Sequence, residues 1–162
     1  MSNVEWRSWD EPVTKIEVEN VGEKLGVKFP LDYIEVAMNY NGAHVSPELF
    51  QVEGTEKVFG TLLTYDQEDD EHIIEVFNEY RDTLPKWIIP FAFDPSGNLL
   101  CFDYKEHEDN PIVVFWEHEN AAEKETLMQE EGLSEEQTEE RAREKISYVA
   151  ATFTEFLDKL HD

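Results

Sequence analysis

The chain has 162 residues, 40% hydrophobic and 12% aromatic, and sets 38 aspartates and glutamates against 13 lysines and arginines. That length holds one apolar core, most simply a single domain, and the aromatic content is far too high for a disordered acidic chain. The formal charge of −25 argues against direct binding to nucleic-acid phosphates or to an anionic membrane surface, and makes a basic protein the natural complement.

Residues 1–12 carry Trp6 and Trp9 ahead of Pro12 and are expected to form an arm whose indoles pack onto the domain. They contain neither the basic nor the apolar region of a secretory signal, and no apolar run approaches the length of a membrane span. Val18, Val21 and Leu25 have helical spacing from Val13 onward, with Gly26 suited to a left-handed cap. Pro30 opens a second helix, in which Leu31, Ile34, Ala37 and Met38 share a face and Asn41-Gly42 is the stop. Residues 48–65 read as strands: Leu49–Val52, a Gly54 turn, Val58-Phe59 and Leu62-Leu63. After Tyr65 the composition turns to Asp66, Glu68, Asp69, Asp70 and Glu71, a solvated run leading into a helix N-terminus, where carboxylates favour the positive end of the dipole. That helix has Ile73, Phe77, Tyr80 and Leu84 on one side and ends at Pro85.

The centre of the chain is IIPFAFDPSGNLLCFD, Ile88 to Asp103. Asp94-Pro95-Ser96-Gly97-Asn98 is a turn signal, because proline presets φ and glycine tolerates φ > 0. The flanking runs are nearly continuous in apolar residues, as in hairpin strands covered on both faces. A polar loop, 104–110, precedes a further buried strand, Pro111 to Trp116. Residues 117–145 hold eleven glutamates and four basic residues. They read as a partly helical surface insertion with Ser134 as an N-cap and only Leu127, Met128 and Leu133 as anchors. At the end of the chain Ile146–Val149 is predicted to be extended, and Thr152 to Glu155 is a capping-box pattern that starts a short helix at Phe153.

Catalytic signals are sparse. Cys101 lies inside an apolar strand, where cysteines are inert packing residues, and it has no cysteine to pair with, which fits a reducing cytoplasm. The five histidines lack the spacing of zinc motifs, and a set of Asp103, His107, Asp109 and His118 does not match known zinc sites. The Asp94 turn lacks the ligand run of a calcium loop. There is no phosphate loop and no nucleophile elbow. No metal, cofactor or catalytic residue is therefore expected, and the acidic clusters serve either solubility or partner binding.

Three stretches in order carry a resemblance. LGVKFPLDYIEVAMNYNG, Leu25 to Gly42, resembles the opening of the SUKH superfamily, in which a leu-pro-x-x-tyr turn leads into a helix ending in Asn-Gly. Ile88–Asp103 resembles its central hairpin, and Val149–Leu157 its closing helix. Where the family often carries Trp-x-Gly ahead of its sheet, this chain has Phe59-Gly60, and the 117–145 segment lies outside the usual pattern. The resemblance implies an α+β fold: one SUKH-like domain over 1–162 with a central, mostly antiparallel sheet and helices packed around it. It also implies, for stand-alone bacterial members, immunity to a polymorphic toxin by binding its toxic C-terminal domain. Other members act as regulatory scaffolds, so a non-toxin basic protein is the alternative partner. A nuclease toxin, whose basic cleft must hold phosphates, would suit an inhibitor of charge −25.

The expected partner-binding residues are Asp66, Glu68, Asp69, Asp70, Asp103, Glu106, Asp109, Trp116 and Glu117. Tyr65-Asp66, Asp103-Tyr104 and Trp116-Glu117 each follow a predicted strand, so strands running the same way would set these three ends side by side. An aromatic among carboxylates suits an interface anchor with a charged rim.

Overall fold

A computed structural model describes residues 4–107, 109–118 and 124–162. The chain opens with a strand, β1 (Glu5–Arg7), where the sequence suggests only a packed arm. Trp6 stacks on Tyr40 with ring centroids 5.7 Å apart, and Trp9 meets the same ring edge-on at 5.2 Å. Helix α1 (Lys15–Leu25) starts with a capping box between Thr14 and Glu17 and ends on Gly26 at φ 83°, the left-handed cap the sequence predicts.

Helix α2 (Leu31–Asn39) follows Pro30 and buries Tyr33, Ile34 and Ala37. Leu31 does not share that face and is 72% exposed. The inward stripe runs instead through Tyr33 and Ala37, four residues apart, with the Tyr33 hydroxyl paired to that of Tyr65 in the core.

Strand β2 (His44–Ser46) is followed by β3 (Leu49–Val52) and β4 (Thr55–Val58), a separate hairpin closed by Glu53 and Gly54. Both of those turn residues have positive φ, as a two-residue hairpin turn requires. Next come β5 (Thr61–Leu62) and α3 (Ile73–Tyr80). The latter stops four residues short of Leu84, which is nonetheless buried. The centre is formed by β6 (Ile88–Phe93), β7 (Leu99–Asp103) and β8 (Ile112–Trp116). Then follow α4 (Lys124–Glu131), α5 (Glu135–Arg143), β9 (Ile146–Ala150) and α6 (Phe153–Asp158). Ser134 and Thr152 are the N-caps of α5 and α6, each accepting from the backbone N–H three residues on.

The main sheet has the order β1-β2-β5-β6-β7-β8-β9, and every neighbouring pair is antiparallel. Alternation along β7 divides the core into two layers. Phe102 points with Phe91 toward α2 and α6, where Tyr33 and Phe153 lie 5.2 and 6.3 Å from its ring. On the other face Cys101 and Asp103 point with Val114 and Trp116 toward α3 and α5, and Trp116 meets Tyr80 at 5.4 Å. Coverage of both faces is the physical reason for the unbroken apolar runs. Pro90 fits mid-sheet because the register shifts between Pro90 and Ala92, a bulge that absorbs its missing N–H. Gly60 is required at the other end of β6, where a Cβ would collide with the Phe93 carbonyl oxygen.

Among the described residues no helix is long and apolar enough to cross a membrane. In the 124–145 region Leu127, Thr138 and Ala142 are buried, whereas Met128, an expected anchor, is 41% exposed.

Candidate functional site

The sheet has two ends, and the antiparallel register fixes which loops meet at each. Asp103 pairs with Ile88 and Ile112, and the Leu63 amide donates to Phe91 as β5 runs toward that same end. The Tyr65-Asp66 loop, the start of β6 at Trp87-Ile88 and the Tyr104–Pro111 loop therefore share one end. Trp116 pairs with Leu99, beside the Asp94 turn, at the opposite end. The expected gathering of three strand ends is thus corrected: β5 and β7 run the same way with β6 between them, but β8 runs against them. The four polar residues Asp103, His107, Asp109 and His118 are divided likewise, since the His118 amide donates to Asn98 at the far end.

The expected partner-binding residues separate into exposed and internal groups. Asp66, Glu68, Asp70, Glu106 and Asp109 are exposed at the near end. Asp69 is partly buried, and its Oδ1 accepts the Glu71 amide at 2.8 Å, just as Asp66 Oδ1 accepts that of Glu68 at 3.0 Å. Asp103 is buried and engaged. Arg143 of α5 forms a fork on it, Nη1 to Oδ2 at 3.0 Å and Nη2 to Oδ1 at 3.1 Å, and Nη2 also donates to the Lys86 carbonyl at 3.1 Å. Trp116 is 1% exposed and is a core residue, not a surface anchor. A large apolar ring at the end of a strand is placed by the sheet face it falls on, and here that face is covered by α3. Glu117 is exposed at the far end and pairs with Lys57 of β4 at 3.3 Å.

Local fields at the near end reflect its crowded carboxylates. Burial, then the negative charges of Asp69, Asp10 and Asp70, raise the pKa of Glu71. Burial lowers that of His72, against the opposing pull of Glu75 and Asp66. Burial and the nearby Asp103 push the Cys101 thiol well above its usual value, so it is protonated at neutral pH and no nucleophile. The Asp94 carboxylate is spent on its own turn, accepting from the Ser96 and Asn98 amides and the Asn98 side chain. Among the described residues no three His, Cys, Asp or Glu side chains gather as a metal site.

Two exposed apolar side chains at this end escape the sequence reading. Leu31 opens α2, and Trp87 is 55% exposed with φ 71°, a region that bulky residues rarely enter. Both sit beside a groove of about 1020 Å³. Helical periodicity places Leu31 inward, and nothing local marks Trp87, since the residues that hold its turn come from α5 and from Tyr104 after β7.

An acidic α+β protein with an antiparallel sheet between two helical layers and its carboxylate-rich loops at one end is the class these features define. The chain belongs to the SMI1 / KNR4 family (SUKH-1), whose model matches residues 12–159. It is similar to the SPbeta prophage-derived uncharacterized protein YokK of Bacillus subtilis (strain 168), with 26% identity over 124 residues. That match covers 65% of this chain and 62% of the relative, so the chain spans less than two thirds of the protein it matches. No solved structure matches the chain.

Proposed function

We propose that this protein is a non-enzymatic immunity protein of the bacterial cytoplasm that binds and neutralises the toxic C-terminal domain, of nuclease type, of a polymorphic toxin. The observation that carries the reading is charge in its setting: a SUKH-1 fold of formal charge −25 whose near end exposes Asp66, Glu68, Asp70, Glu106 and Asp109. A surface of that kind is electrostatically complementary to a phosphate-binding cleft, and it steers a basic partner to the correct face. The single domain supplies the scaffold and the 117–145 segment is its decoration. The prophage origin in the relative's name fits a gene carried on a mobile element beside the protein it counters.

The test is association with the toxin-like domain encoded next to this gene, followed across salt concentrations. A variant with Glu68, Asp70, Glu106 and Asp109 changed to lysine slows association and flattens its salt dependence, while the fold survives because these side chains are exposed. Asp69 stays unchanged because its turn depends on it. A second variant with the exposed Glu130 and Glu136 reversed, leaving the arm's ion pairs at Glu131 and Glu135 intact, leaves the rate nearly as it was. An effect confined to the second variant moves the binding face to the insertion. No binding to the neighbouring domain overturns the toxin reading in favour of another basic protein.

A further inference from the structure

The groove at the near end has a built character that the acidic loops lack. Its floor is core: Phe29, Ile34, Tyr104 and Phe153 are all nearly inaccessible to solvent. Its two lips are the exposed Leu31 and Trp87. Leaving a leucine and an indole in water forgoes burial that any polar residue at those positions would not miss. At Trp87 there is also backbone strain, which persists only where surrounding contacts impose it. Those contacts come from both sides. The Trp87 carbonyl accepts the Tyr104 amide at 2.9 Å, the Lys86 amide donates to Glu139 at 2.9 Å, and Arg143 holds the Lys86 carbonyl. The insertion therefore presents the indole.

Charge selects the occupant. Four carboxylates line the groove, Glu19 and Glu23 on α1 together with Asp32 and Asp109, against one cation, Lys28. A second copy of this chain, at −25, is repelled, as are a nucleic acid and an anionic membrane. We infer that this groove is the docking surface for an arginine-bearing segment of a basic protein partner. An apolar side chain of that segment lies on Leu31 and the floor, and a guanidinium stacks on Trp87 within reach of the rim carboxylates. The inference rests on the reading that the partner is a basic protein, and goes beyond it in assigning the anchor to Trp87 and Leu31.

The reporter is a fluorescein-labelled peptide of alternating leucine and arginine, with a serine–arginine peptide of equal charge as control, read by anisotropy at physiological salt. Trp87→Gly removes the ring and suits a residue with φ above zero, so its fold is secure, and Leu31→Ser trims the other lip. Each variant weakens binding of the leucine peptide by about 10-fold or more, while Tyr148→Ser, an exposed ring on β9, changes nothing. Absence of binding, equal binding of the serine peptide, or unchanged affinity in both groove variants overturns the assignment. Neutralisation of the neighbouring toxin domain is measured in the same variants. Full neutralisation by a Trp87→Gly protein discards the groove as the anchor and leaves the toxin reading standing.

Discussion

The central strands and the α4–α5 arm are joined to the molecule by different forces. Phe91, Leu100, Phe102, Val113 and Phe115 are at most 1% exposed, and Phe91 and Phe102 stack at 4.4 Å within a ring of further aromatics. The arm buries only Leu127, Thr138 and Ala142. It is fastened by polar contacts, Arg143 to Asp103, Lys86 to Glu135 at 3.4 Å and the Lys86 amide to Glu139 at 2.9 Å, while Lys124–Glu139 at 2.7 Å and Arg141–Glu131 at 3.2 Å tie its two helices to each other. Burial of apolar surface is nearly indifferent to pH, whereas ion pairs weaken as their carboxylates are protonated and, where exposed as at Lys86–Glu135, as salt rises. The arm can therefore loosen while the sheet stays folded, and because it braces Trp87 its state reaches the groove.

The sharpest way to break the contrast is to weaken the centre. Phe102→Ala leaves a cavity among Phe29, Tyr33, Phe91 and Phe153 and is expected to cost about 3–5 kcal/mol, lowering the denaturant midpoint of the whole molecule. Next in size is the arm's main fastening. Arg143→Ala strands the buried Asp103 carboxylate with the Lys105 amide as its remaining donor. It should lower hydrogen-exchange protection of α5 and of the Lys86 amide by about 2–3 kcal/mol, and that of β6 to β8 by less. Adding Asp103→Asn restores much of the loss, since an amide needs no counter-charge. Equal loss in arm and sheet would show that the two regions are one cooperative unit.

A smaller effect tests the centre again. Cys101→Ala removes one small, fully buried group and should cost about 1–2 kcal/mol, with the proposed partner binding intact wherever the variant is folded. A folded but inactive Cys101→Ala protein would contradict a purely packing role for the thiol.

What the sequence reveals divides along the same line. Burial writes itself into local pattern, so the β6–β7 hairpin, the Gly26 cap and the choice of strand then helix at 146–158 are legible from spacing and capping residues alone. The edge strand β1 and its neighbour β2, three residues each, are too short to leave a period. The direction of β8 relative to β5 and β7 is a tertiary choice, and with it goes the position of Trp116. Charge pairing is least legible of all. Arg143 and Asp103 lie forty positions apart, and no local signal tells a bridging arginine from a solvated one. The exposed carboxylates are readable from sequence as a cluster, but Leu31 and Trp87 are not readable as a pair, because the chain that brings them together runs through the whole core.

The finest test lies in the pH response of the arm. Burial would raise the pKa of Glu139, but the hydrogen bond from Lys124, the Lys86 amide and the charges of both lysines outweigh it and the net shift is downward. A carboxylate whose folded pKa lies below its unfolded value stabilises the folded form fully above the unfolded pKa, near 4.3, and loses that contribution as pH falls through the folded value. Acidification below the unfolded pKa should therefore loosen the hold of α5 on the Lys86–Trp87 turn before the sheet unfolds. The ion pair is partly shielded, with side chains 21% and 19% exposed, and its worth is about 1 kcal/mol or less. Glu139→Gln keeps the shape, removes the charge, and should abolish most of this pH dependence while leaving the core's denaturant midpoint at neutral pH nearly unchanged. Exchange protection of α5 amides at pH 7 and pH 3.5 reads the difference. If wild type and Glu139→Gln lose protection equally on acidification, the fastening lies in Asp103 and Arg143 alone, and the turn that carries Trp87 does not depend on Glu139.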